Sequence, residues 1–209
     1  MKITRIIPIL FLSVVLLSFT SKDNLSTYIT ALKNSKTSTG FFELAEKIES
    51  IKPINSQDWH PNYYAAYSYV LSAFTEKEQD KLDEILDLAQ GHVERAQLIS
   101  PNNDEILSLA AMIYSARIIV NPNERGYKFG QKSTQMLERA RLINQDNPRV
   151  LLLIAQSKMY MPVNYGGGCE NARPIIEEAI TKFNVFEKSE KNSPDWGEND
   201  ALELLKNCS

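Results

Sequence analysis

The sequence predicts an all-α protein of about four antiparallel helical hairpins with a C-terminal capping helix. Three observations predict this. Apolar residues recur at helical spacing along most of the chain, as in Leu82, Ile85, Leu86, Ala89, Val93 and Ala96, a stripe that buries one face of an amphipathic helix. Pro53, Pro61, Pro101, Pro122, Pro148, Pro162 and Pro194 fall between such stretches, where a missing N–H and a fixed φ do little harm. Sustained alternation of period two is absent, so no sheet is expected.

The elements follow in order. Met1–Thr20 begins with Lys2 and Arg5, continues apolar from Ile6 to Leu17, and ends in Ser18-Phe19-Thr20. That is the layout of a secretory signal peptide, and the apolar run is shorter than the roughly 20 residues a membrane span needs. The expected helices are then 24–36, 39–52, 60–75, 77–99, 103–120, 126–144, 148–160, 170–187 and 198–207. In 39–52 the stripe is Phe42, Ala45 and Ile48. Around 60–75, Trp59, His60, Tyr63, Tyr64, Tyr67 and Phe74 are dense in aromatics. Positions 60, 63, 67, 71 and 74 share one face and read as core, while Tyr69 points off it. Thr75-Glu76-Lys77-Glu78 has capping-box spacing, so the next helix should open there. Its acids Asp80, Asp83, Glu84 and Asp87 lie largely opposite the apolar stripe and read as a solvated face. In 170–187 the stripe is Ala172, Ile175, Ile176, Ala179, Ile180 and Phe183, with Pro174 in the first turn if the helix opens near Asn171. Trp196, Leu202 and Leu205 give the last helix an apolar face for docking. No linker splits 21–209, which reads as one domain.

Composition excludes several classes. At 43% hydrophobic the chain can build a core and is not a disordered polymer. Two cysteines cannot make a disulfide scaffold or a four-cysteine zinc site. Without residues 1–20 the chain has 21 Lys+Arg against 26 Asp+Glu, a surface unsuited to nucleic acid or anionic lipid. Export is therefore expected, to a periplasmic or extracellular location, with no transmembrane span after cleavage.

An internal repeat is also legible. A small residue is followed seven positions later by alanine in Ala89…Ala96, Ser133…Ala140 and Ala172…Ala179, with Val93, Leu137 and Ile176 between them. The copies lie 44 and 39 residues apart. This pattern resembles the second helix of the tetratricopeptide repeat, and Pro101 follows Ala96 at the family's distance. Leu107, Ala111 and Tyr114 match its first helix; Leu151 and Ala155 continue the match, but Lys158 stands where tyrosine is expected. The spacing exceeds the family's period of about 34 residues; the excess fits near Val120–Tyr127 and Met161–Gly168. The resemblance covers roughly 60–187 and implies a solenoid whose concave face binds an extended peptide or partner helix.

On that face the candidate groove is Tyr69, Glu105, Ser108, Met112, Ser115, Arg149, Leu152, Gln156 and Met159. The function expected is binding of a protein or peptide partner, without catalysis. The alternative is a periplasmic small-molecule-binding accessory subunit of a solute transporter, since the loop Tyr165-Gly166-Gly167-Gly168 resembles one in tetratricopeptide-like envelope proteins, including the helical component of some TRAP-type transporters. Backbone amides there suit an anion; a turn needing φ > 0 is the simpler account. No cofactor or metal is expected: His60 and His92 lack ligands at metal-binding spacing, and no nucleophile motif is present. Cys169 and Cys208 either form a disulfide that tethers the terminal helix or remain two free thiols.

Overall fold

The computed structural model describes residues 25–208, so the expected signal peptide lies outside the described residues. Nine α-helices occur among them: α1 (Leu25–Asn34), α2 (Ser38–Glu49), α3 (His60–Thr75), α4 (Gln79–Ile99), α5 (Asp104–Val120), α6 (Pro122–Ile143), α7 (Pro148–Tyr160), α8 (Cys169–Asn184) and α9 (Glu198–Asn207). The all-α expectation holds.

Asparagines start three of the helices. The Asn103 side chain accepts from the amides of Glu105 and Ile106, and that of Asn147 from Arg149 and Val150. Asn121 accepts from Glu124, with Pro122 in the first turn. Each cap satisfies amides that have no partner inside the helix. Pro122 therefore opens α6 four residues before the expected start, and no long loop occupies 120–127. At Thr75 the expected capping box does not form: its hydroxyl donates back to Leu71 inside α3, and α4 opens at Gln79. The α8 helix starts at Cys169, which places Pro174 in its second turn. On α9 the buried leucine is Leu204, while Leu202 is exposed.

The α2, α3 and α4 helices pack together, α5 pairs with α6 and α7 with α8; α4 meets α5 and α8 meets α9. The Asn147 amide reaches Asp104 and Glu105, so α5 and α7 begin at the same end. Arg117 near the end of α5 and Arg125 near the start of α6 both bind Asp83 near the start of α4. The α5–α6 turn and the start of α4 therefore lie at the other end. The acids expected to be merely solvated are thus in part an ion-paired seam, in which Arg117 also holds Asp87.

The chain does not keep to neighbour contacts. In a solenoid each repeat touches only the adjacent ones. Here segment 185–197 returns across the starts of α7 and α3 and reaches α1. The Phe186 ring lies 4.3 Å from the Arg149 guanidinium. Glu190 lies 3.4 Å from His60 Nε2, and Asp195 pairs with Lys33 at 2.7 Å. Trp196 donates to the Tyr63 hydroxyl at 2.8 Å and stacks on Tyr67. It packs against both hydrophobic clusters of the protein. Gly197 lets the strap turn into α9: its φ is +107°, and a Cβ there would sit 2.8 Å from the Phe183 ring. This long-range closure departs from the expected open solenoid: the strap packs on the starts of α3 and α7 and reaches α1.

Candidate functional site

Contacts with several elements place the expected groove residues. Arg149 is fully buried, and Glu105 nearly so. Arg149 Nε lies 2.8 Å from Glu105 Oε2 and its Nη2 lies 2.5 Å from Oε1; Asn147 donates to Oε1 at 2.7 Å. Burial opposes the charge on Arg149, but its hydrogen bonds to Glu105 outweigh that and raise its pKa. Tyr69 is buried and donates to Glu49 at 2.8 Å. Ser108 bonds back to the Asp104 carbonyl, and Ser115 faces Ser133 of α6. Met112 and Leu152 are core. Gln156 and Met159 keep partial exposure on α7. These residues do not together line an open groove.

The glycine loop is internally bonded. The amides of Gly166, Gly167 and Gly168 donate to the carbonyls of Val163, Pro162 and Lys158, which leaves none of the three for an anion. Gly166 and Gly168 have φ of +79° and +92°. A Cβ on Gly167 would lie 1.9 Å from the Met161 carbonyl oxygen, a backbone atom with nowhere to go. Gly167→Ala is expected to lower stability by about 1–3 kcal/mol, the usual range for overpacking. A denaturant midpoint equal to wild type would refute this. Cys169 and Cys208 are joined in a disulfide, with Cα atoms 5.2 Å apart.

Both histidines are engaged. His60 Nδ1 lies 2.9 Å from Asp58 Oδ1. His92 contacts Asn62 Oδ1 and, at 2.6 Å, Glu49 Oε1. Burial lowers the His92 pKa although Glu49 pulls it up. Among the described residues no cluster of His, Cys, Asp and Glu suits a metal ion, and no helix is long and apolar enough to cross a membrane.

Enclosed space is small. A cavity of about 60 Å³ lies between α1, α3 and the strap, lined among others by Leu32, Tyr64, Tyr67 and Trp196. A typical organic-ligand pocket is about 300–1,000 Å³. A wider surface concavity of about 480 Å³ is lined by Glu138, Arg141, Leu142 and Gln145, a largely polar set.

The end of the molecule away from the strap is different. The ends of α3, α5 and α7 and the starts of α4, α6 and α8 meet there. Ile119, Tyr127, Tyr160, Val163 and Tyr165 are exposed at this end, the last four by more than 70%. Tyr114 of α5 and Phe129 of α6 stack on each other, half-buried. This exposed apolar surface makes that end the candidate binding face. Sequence reasoning placed Tyr165 in a candidate loop but missed Tyr127, Phe129 and Tyr160. The available signal was Tyr127-Lys128-Phe129, aromatic residues interleaved with lysine in an otherwise polar helix.

No protein-family model matches the chain, and no curated protein does. Among solved structures, the HusA haemophore from Porphyromonas gingivalis is 32% identical, over 88% of this chain and 90% of that chain, with a TM-score of 0.79. That match corrects the tetratricopeptide resemblance: the repeat spacing reflects helix packing in another all-α family. It also overturns the reading of a groove for a protein or peptide partner and favours the small-molecule alternative. It bears out the expectations that the chain is exported and is not an enzyme.

Proposed function

The chain belongs to the family of the HusA haemophore, and on that premise we propose that it binds haem as cargo on the aromatic end face. The observation that carries this reading is the 32% identity to a haemophore across nearly the whole of both chains. The residues of the end face fit such a cargo. Haem is flat and largely apolar, and Tyr127, Tyr160, Val163 and Tyr165 offer exposed apolar surface against which a ring can lie. The cavity under the strap is too small for it. His60 sits at the start of α3 beside the strap's Glu190, and His92 bonds Asn62 next to it, so the face supplies no histidine to the iron. The groups on hand are tyrosine hydroxyls, and that of Tyr127 already accepts from Gln131 at 2.8 Å.

Titration of haemin into the purified protein is expected to give a saturable change in Soret absorbance. The Tyr160→Ala/Tyr165→Ala variant should bind about tenfold more weakly, since each aromatic contact contributes roughly 0.5–1.5 kcal/mol beyond its buried area. Its thermal midpoint should stay unchanged, because both side chains are over 70% exposed. Absence of a saturable spectral change in wild type would refute the function. Full affinity in the variant would refute the location.

A further inference from the structure

The exposed side of α6 carries two cations that form no ion pair among the described residues. Tyr114 of α5 and Phe129 of α6 stack with centroids 6.2 Å apart and planes 19° from parallel. Lys132 Nζ lies 5.3 Å from the Tyr114 centroid and 5.8 Å from that of Phe129, and Lys128 Nζ lies 5.4 Å from the latter. The two lysines are one helical turn apart and project from the same side of α6. Neither forms an ion pair among the described residues, whereas Arg117 and Arg125 nearby are held by Asp83 and Asp87. The chain as a whole has more acids than bases, 26 against 23. Two ammonium groups left uncompensated in such a chain, above an aromatic ledge, complement a flat apolar ligand that ends in carboxylates.

Resting on the haem reading, we infer that Lys128 and Lys132 pair with the propionate carboxylates of the tetrapyrrole while the Tyr114–Phe129 ledge supports the ring edge. The two lysines then determine specificity: tetrapyrroles with free carboxylates are preferred over their esters. Exposed ion pairs are individually weak and screened by salt, so the preference is graded and shrinks as ionic strength rises.

The test compares iron protoporphyrin with its dimethyl ester, followed by Soret absorbance, on wild type and on Lys128→Ala/Lys132→Ala. Wild type is expected to bind the free acid about tenfold more tightly than the ester, and the double variant to lose that preference. Both lysines are exposed, so the variant's circular dichroism and thermal midpoint should match wild type. Equal affinity for acid and ester in wild type overturns the inference and leaves haem binding standing. So does a preference that survives in the variant. A wild type that binds neither compound removes the haem reading itself, and this inference with it.

Discussion

Replacing Glu105 by alanine is expected to destabilise the protein by about 3–5 kcal/mol, the usual effect of removing one partner of a buried ion pair. Arg149 is fully buried and donates to both oxygens of Glu105. Without the carboxylate, a guanidinium away from water is left with the Phe186 ring and the tyrosines Tyr63 and Tyr64, none of which carries negative charge. For a domain of this size the thermal midpoint should fall by roughly 10 °C. Glu105→Gln keeps the shape and one acceptor, so its loss should be smaller. Replacing both residues with methionine should recover much of the stability, since a buried pair repays little beyond its own desolvation. A double variant as unstable as the sum of the two single variants would show that the residues act by shape alone.

Cys169→Ser/Cys208→Ser is expected to cost about 3–4 kcal/mol in the chain-entropy model. The bridge joins the first residue of α8 to the residue after α9, across a separation of 39. Between these ends lies the strap, together with the α9 helix of only 10 residues. Alone, so short a helix is marginal in water. Its buried contacts are few, Ala201 and Leu204 among them. The disulfide restricts the unfolded chain and so favours the docked state of both elements. Thermal melts with and without dithiothreitol check this. Wild type should lose roughly 10 °C on reduction, and the serine variant should melt low in either buffer. Equal midpoints for reduced and oxidised wild type would exclude a stabilising role.

Helix content was legible in the sequence because its causes are local. Leu82, Ile85, Leu86, Ala89 and Val93 are spaced to face one side whatever packs there, and all five are buried in α4. Trp196 was legible as a docking residue, though not its partners Tyr63 and Tyr67. Helix starts were less legible. Asn121-Pro122 read as a break, and it is a cap followed by a first-turn proline; the difference lies in one φ/ψ pair that the residue types do not determine. The repeat spacing misled for a related reason. Small–large–small spacing reports close helix packing, which any antiparallel helical protein needs and which names no family.

The candidate site divides in the same way. Glu105 and Arg149 point away from the apolar stripes of α5 and α7, so they read as groove lining. Arg149 is instead covered by Phe186, 37 positions further along the chain. Tyr127, Tyr160, Val163 and Tyr165 lie on three separate elements. Each alone is an ordinary exposed residue, and they form a candidate face only when the antiparallel packing brings those elements to one end.

By itself the sequence determined that this is an all-α chain, that one face of the aromatic helix α3 reads as core, and that its excess of acids is unsuited to nucleic acid. Those properties depend on residue type and on spacing within a helical turn or two. Only the tertiary structure decided which face is closed by the strap and which end stays open. That outcome depends on contacts between residues far apart in sequence, such as Lys33 with Asp195 and Tyr63 with Trp196. Each of these residues had several plausible partners, and the folded chain selects one.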